Sequence, residues 1–575
     1  MRRVFSGVLI IVLILSTAIG CGIGNIDMLS QRGDQDREIE IENNVGENVE
    51  SDTQLINDVK PSVPQKGGTL SVSIPQLDTL NPLLTQSKRL ISFFGLIYEG
   101  MFKLDQNLKP IPALVDKWIA TGDGKVWTFQ LKKGVKWHNG LELTAEDVKF
   151  TFDILRDYPD ATNSYYGQSL FKNANIVSFE VAEDNPYVII VTLSQPTVNL
   201  CALMTFPILP KYVYQSLGMV AGNHKIIDMG FLVGTGPYKV DAQNSDGEKQ
   251  IKLVRNPEWW GKEPYIDSII VKIYKDNEEE RCAFENGELD LLDTHVLFAE
   301  NYAMKQDTRL YRYLTQNYDF IAVNFRRNTH LLDKRVRQAI AYGLDRKDII
   351  SRVYFNNSLA VDVPIPLDSW LYSQNLRIYD YQPEKSIEIL TSAGWSNLDE
   401  DIYFERMDGD EITKLSFTLI VDEDNSIRKD VARIIQKQLS IIGIRVELQF
   451  LPKDKIEEVL RNGNFEAVLA GYNLDHSGNL DFMFHSSRKG NGLNNFIGYA
   501  NEDLDALLDE AKTTIEQNQL ISVYENIQAH LIKELPFISL YFRTNSLIVK
   551  DKVKGITAPR DMNIYNNIEE WYIVE

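Results

Sequence analysis

Apolar and polar positions change their period several times along this chain, most clearly between residues 415 and 471. "LSFTLIV" (415–421) is an unbroken apolar run of strand length. Ile427, Val431, Ile434, Ile435, Leu439 and Ile442 then recur at helical spacing, and Gly443 supplies a C-terminal stop. "IRVELQF" (444–450) alternates with period two, a short helix is predicted over 453–461, and Asn462–Gly463 lead into "FEAVLAG" (465–471). Strand, helix, strand, helix, strand predicts two βαβ units, hence a mainly parallel sheet with right-handed crossovers. Near the start of the ordered part, Leu70, Val72 and Ile74 of "GGTLSVSI" alternate as in a strand. A second long helix is predicted from Leu332, Val336, Ala339, Ile340 and Leu344. Ligands of open parallel sheets bind outside the carboxyl ends of the strands. Tyr472 to Asp475 lie just past the predicted strand 465–471, on the side where a ligand is expected.

The N-terminus follows another pattern. Arg2 and Arg3 precede the apolar stretch Val8–Leu15, and "STAIGC" follows. A charged start, an apolar run too short for a bilayer and a zone of small residues predict a signal peptide over residues 1–20. "AIGC" resembles a bacterial lipobox, in which Cys21 becomes the lipidated first residue; Ala18 stands where Leu is more usual. Residues 22–65 ("DQDREIEIENNVGENVESD" among them) hold no aromatic residue and no sustained apolar period. Such a segment cannot bury enough surface to offset its ordering entropy. Residues 21–65 are read as a lipid-anchored, flexible acidic linker. No later segment reaches the roughly 18 apolar residues of a transmembrane helix.

With 575 residues and 44 % apolar content, two or three domains are expected. The formal charge of −21 argues against a nucleic-acid partner, which needs basic faces. Cys201 and Cys282 sit in apolar contexts and read as buried free thiols, and no metal-ligand spacing is present.

From about residue 66 the chain resembles the bacterial extracellular solute-binding proteins of family 5, the oligopeptide- and dipeptide-binding lipoproteins of ATP-driven importers. The segments that carry the resemblance include "LIYEGMFKLDQNLKPIPALVDKW", "WTFQLKKGVKWHNGLELTAEDVKFTFD", "GTGPYKV", "LVRNPEWWGKEPYIDSIIVKI", "FENGELDLL", "DKRVRQAIAYGLDRKDII" and "YDYQPEKSIEILTSAGW". Most of them are structural. Gly134 and Gly140 end strand segments before a helix capped at Thr144, and His138 belongs to that turn. The resemblance implies an α/β fold of two lobes, of the periplasmic-binding-protein type II or Venus-flytrap kind, with ligand closed between them. The first lobe would comprise 66–325 and 535–575, with an extra subdomain near 89–200, and the second 326–534.

Peptide binders of the family commonly carry Gly-Trp-x-x-Asp-Tyr-x-Asp/Glu-Pro, whose first Asp pairs with the peptide's α-ammonium. Here Gly471 stands for the Gly, Tyr472 for the Trp and Asp475 for that Asp, while His476, Gly478 and Asn479 replace the Tyr, the second acid and the Pro. Leu469 occupies a position that is basic in some members, so the partner of a ligand carboxylate is unassigned. Asp475 is thus a candidate acceptor for a buried ammonium, which needs a charge-assisted partner. Ala470 to Asn473 and the segment 85–88 would pair with a peptide main chain. Tyr472 would stack on or cover the ligand. Against this, "DHSG" is good turn chemistry for Asp475, and Tyr472 suits a core equally well.

The expected function is a lipid-anchored receptor that captures oligopeptides at the extracytoplasmic face of the cell membrane. Its partners would be the permease and ATPase subunits of an ATP-binding cassette importer, with no nucleic acid and no cofactor. The alternative is an oligosaccharide or another small solute, for which 26 Tyr, 25 Phe and 8 Trp would offer stacking platforms. Nickel or haem is disfavoured because seven scattered His form no cluster. Nucleophile-elbow, zincin and P-loop patterns are absent, so no enzyme is expected.

Overall fold

The structure, a computed structural model, describes residues 63–217, 229–246, 248–294, 296–376, 379–398, 401–490 and 494–574. The predicted signal peptide, the candidate lipidation site Cys21 and nearly all of the predicted linker 21–65 lie outside the described residues. Residues 64–575 form one compact unit. Among the described residues no helix is long and apolar enough to cross a membrane.

Three sheets organise this unit. The strand Thr69–Pro75 buries Leu70, Val72 and Ile74 and pairs in parallel with Ser268–Tyr274, in a four-stranded sheet completed by Gln250–Arg255 and Tyr238–Val240. An antiparallel sheet of Val115–Ala120, Val126–Leu131, Val188–Leu193 and Ile176–Val181 packs with the helix Ala145–Asp157. Thr144 caps that helix, and the Asp147 carboxylate accepts the Thr144 N–H at 3.0 Å.

The third sheet has seven strands and carries the βαβ units read from the sequence. Ser416–Asp422, the helix Ser426–Ile441, Arg445–Leu451, the helix Lys453–Asn462 and Ala467–Asn473 follow in that order. The middle strand in space is Ser416–Asp422, parallel to both of the others. The whole sheet is mixed rather than mainly parallel. Two long strands, Thr308–Val323 and Phe537–Lys550, lie antiparallel to their neighbours beyond Ala467–Asn473. Two further boundaries shift. The last βαβ strand runs on to Asn473, so Tyr472 lies inside it. The other predicted helix spans only Lys334–Gly343, because Asp333 caps it and leaves Leu332 in a short 3-10 turn.

Burial divides into two large cores. One gathers side chains from Leu70 to Tyr313 and from Leu547 to Trp571; the other holds Leu314 to Phe542, joined by Val198. The changeover therefore falls within the two long strands. There Leu314 faces Thr544, and pairing resumes at Tyr318 and Phe542, so residues 315–317 bulge. The bulge turns the Gln316 backbone outward: its N–H donates to Asp561 Oδ2 at 3.1 Å, and its carbonyl accepts Leu474 N–H at 2.9 Å. Both cores thus meet the loop after Asn473.

Cys201 is buried, whereas Cys282 is only half-buried, contrary to the expectation for it. His138 belongs to its turn: Nδ1 accepts Gly234 N–H at 3.2 Å, and burial pushes the imidazole down to about 4.

Candidate functional site

The site begins with an unfinished strand edge. Ala467–Asn473 pairs along its length with Thr308–Val323 on one side. On the other side, its pairs with Ser416–Asp422 are Ala467 and Val468. Residues 469–473 therefore present one row of main-chain groups to the space beyond, the arrangement to which an extended peptide adds as a strand. This edge lies at the carboxyl ends of Ser416–Asp422 and Ala467–Asn473, the side of a parallel sheet where ligands bind.

Alternation sends successive residues to opposite faces. On one face Tyr472 stacks on Phe320 at 5.3 Å and meets Phe482 edge-on at 5.3 Å. Its half-buried ring packs against the aromatic core, because an even position in this register lies on the face of Phe320. Its hydroxyl is buried without a hydrogen-bond partner. Ala470, opposite Phe320, is half-buried, and Leu469 is buried on the other face.

Gly471 lies opposite Asp319. A Cβ on Gly471 would fall 2.5 Å from Arg428 Nη2 and 2.9 Å from Asp319 Oδ1, so only glycine lets the strand pass. Asp319, 1 % exposed, accepts from Arg428 Nη2 at 2.9 Å and from Arg543 Nε at 2.7 Å. Two guanidiniums share one carboxylate, which leaves a net positive charge beside the strand edge. The sequence reading missed this group. Its one signal was Arg428 in the first turn of the helix at a strand's carboxyl end; Asp319 and Arg543 are distant in sequence.

Asp475 stands in the loop after the strand and is half-buried. Its Oδ1 accepts Ser477 N–H at 2.8 Å and the Ser477 hydroxyl, and its Oδ2 accepts from Asn173 Nδ2 at 2.7 Å. The Ser477 bonds are the turn chemistry that "DHSG" suggested; Gly478, with φ +78, completes the turn. The Asn173 bond is a different thing, since Asn173 ends the helix Tyr165–Asn173 of the other core. Every donor on Asp475 is neutral, and among the described residues its carboxylate is in no ion pair. Lys172 holds its ammonium 3.4 Å from the centroid of the Phe482 ring instead. Burial lowers the Lys172 pKa, against the pull of Asp475.

The segment 85–88 reaches the same place. Ser87 caps the helix Lys88–Phe94, and Lys88 Nζ donates to Asn473 Oδ1 at 3.2 Å and pairs with Asp561 at 2.6 Å. A cavity of about 30 Å³ adjoins Asp475, Lys172 and Asn473. A larger one of about 190 Å³ is lined by His476, Arg560, Asp561 and aromatic rings that include Tyr165, Tyr166 and Phe94. Glu99 lines it too. Burial pushes Glu99 up to about 7, although Trp260 Nε1 and the Thr235 hydroxyl donate to it, each at 2.9 Å.

The fold also assembles a group that no sequence spacing announced. One ligand atom each of Asp481, His485 and Asp509 lie within 4.8 Å of one another. Lys512 pairs with both carboxylates and Arg488 with Asp481, so the cations of this cluster are the chain's own.

The family described as Bacterial extracellular solute-binding proteins, family 5 Middle, matches residues 109–494. The oligopeptide-binding protein AppA of Bacillus subtilis is 27 % identical over 521 residues, covering 89 % of this chain and 93 % of its own. Its structure in complex with a nonapeptide superposes with a TM-score of 0.59 at 26 % identity, covering 89 % of this chain and all of that one. NikZ of Campylobacter jejuni, solved with Ni(L-His), gives a TM-score of 0.60 at 23 % identity, covering 88 % and 99 %. The fold is accordingly the two-lobed α/β fold of the type II binding proteins.

Proposed function

Since the chain belongs to the bacterial extracellular solute-binding proteins of family 5, we propose that it captures oligopeptides for an ATP-binding cassette importer. The family is one of substrate-binding transport proteins rather than enzymes. The observation that carries the peptide reading is Asp475, a half-buried carboxylate with neutral donors only, at the end of a strand edge open from 469 to 473. A peptide lying along that edge would place its ammonium on Asp475 and its carboxyl end toward Arg428 and Arg543. Gly471, beside Arg428 and Asp319, lies within the strand, and Asp475 follows in the loop after Asn473.

The lobes would be 66–325 with 535–575 and 326–534, the subdomain near 89–200 supplying Asn173. Ligand touching both would favour closure by its differential affinity for the closed state. Signal processing and lipid on Cys21 would hold the protein at the extracytoplasmic face beside its permease. Loss of labelled fatty acid in Cys21→Ser tests that anchor; equal label in both proteins would remove it.

Native mass spectrometry of the purified protein, identifying what co-purifies, tests the ligand class. Short peptides support the proposal. A sugar or a metal complex in the cleft would replace it.

A further inference from the structure

Among the described residues, His476 alone lines both cavities of the site. It borders the small one, beside Asp475, and the large one, among aromatic rings. Its Nδ1 is buried and has no hydrogen-bond partner. A buried polar atom left so is unfavourable, and a bound group that supplies its partner is one explanation for it. Burial, with the nearby cations Arg560 and Lys88, pushes the imidazole down to about 3, so the ring is neutral at physiological pH. A neutral imidazole offers one N–H and one lone pair, and so matches a hydroxyl, which both donates and accepts.

The large cavity defines the rest of the guest. At about 190 Å³ it exceeds the roughly 150 Å³ that accommodates a benzene ring in an apolar protein cavity. Its wall carries Phe94, Tyr98, Tyr165, Tyr166 and Tyr565, with Tyr165 and Tyr166 edge-on at 5.4 Å. Such a wall suits a ring in offset or edge-to-face contact.

We propose that this cavity receives the side chain of the ligand's first residue, and that His476 makes it prefer an aromatic side chain bearing a hydroxyl, tyrosine above phenylalanine. The inference rests on the peptide reading, because it is the ammonium on Asp475 that places the first side chain beside His476. A pocket that hydrogen-bonds a hydroxyl discriminates strongly against the analogue lacking one, since its own polar atom is then buried unpaired.

Isothermal titration of Tyr-Ala-Ala and Phe-Ala-Ala against the wild type, His476→Phe and His476→Gln tests this. The wild type is expected to hold the tyrosyl peptide about tenfold or more tighter. His476→Phe should bring the two peptides level, and His476→Gln, which keeps a hydrogen-bonding group, should retain part of the preference. The ratio within each protein is unaffected by a misfolded fraction, and if His476→Phe does not fold, the other two proteins decide. Equal affinities in the wild type, or an undiminished preference in His476→Phe, overturn the pocket assignment and leave the peptide reading standing. Failure of every free-amine peptide to bind overturns both.

Discussion

Asn173 donates through Nδ2 to Asp475 Oδ2 at 2.7 Å, across 302 residues of sequence. Its own Oδ1 accepts from Asn479 Nδ2 at 2.9 Å. One side chain at the end of the helix Tyr165–Asn173 thus ties down the loop that carries the candidate ammonium site. The oxygen it occupies is the one a ligand's ammonium would share or take over.

Asn173→Ala should therefore loosen the tie between the helix Tyr165–Asn173 and the Asp475 loop. A hydrogen bond to a charged group contributes about 1.5–3 kcal/mol. Small-angle scattering should give a larger radius of gyration than wild type without ligand, and the same radius at saturating peptide. An unchanged radius in both conditions would mean that this bond does not hold the lobes together.

Glu99 predicts a pH dependence of stability. Its folded value near 7 lies above the ordinary 4.5, so the folded chain retains a proton that the unfolded chain releases. Stability should fall as pH rises from about 4.5 to about 7 and then level off, a loss of about 3 kcal/mol from this group. Thermal melts of Glu99→Gln against wild type, at pH 5 and pH 8, should show the wild type losing more across that interval. Parallel curves would contradict the assignment.

Arg428 and Arg543 share the single charge of Asp319, and Arg428 flanks the open strand edge. Arg428→Met should weaken peptides with a free carboxylate by about tenfold and leave C-terminally amidated copies nearly unchanged, because only the former have a charge to lose. Equal weakening of both forms would assign Arg428 to strand support alone.

The sequence made the βαβ units legible because their apolar periods and caps are local: Gly443 follows its helix where the periodicity stops, and Ser416–Asp422 lies within one residue of its predicted place. Tyr472 shows the limit. Whether its ring covers a ligand or fills a core depends on the pairing of Ala467–Asn473 with Thr308–Val323, a relation 150 residues apart that no local period encodes. The same holds for the Arg428–Asp319–Arg543 group and for Asn173 on Asp475, whose members come from separate elements. The antiparallel half of the large sheet escaped for a related reason, since strand direction is set by long-range pairing rather than by pattern.

Whether Asp475 receives the ligand's ammonium is tested by titrating Asp475→Asn and wild type with free-amine and N-acetylated copies of one peptide. Removing one member of a partly desolvated charge pair costs about 2–5 kcal/mol, roughly 30- to several-thousand-fold in affinity. That loss is expected for the free-amine peptide, with a comparable loss on acetylating the peptide in wild type and no further loss when both changes are combined, since each removes the same contact. Equal weakening of free and acetylated peptides by Asp475→Asn, with a matching fall in thermal stability, would make Asp475 a turn former and not an ammonium site.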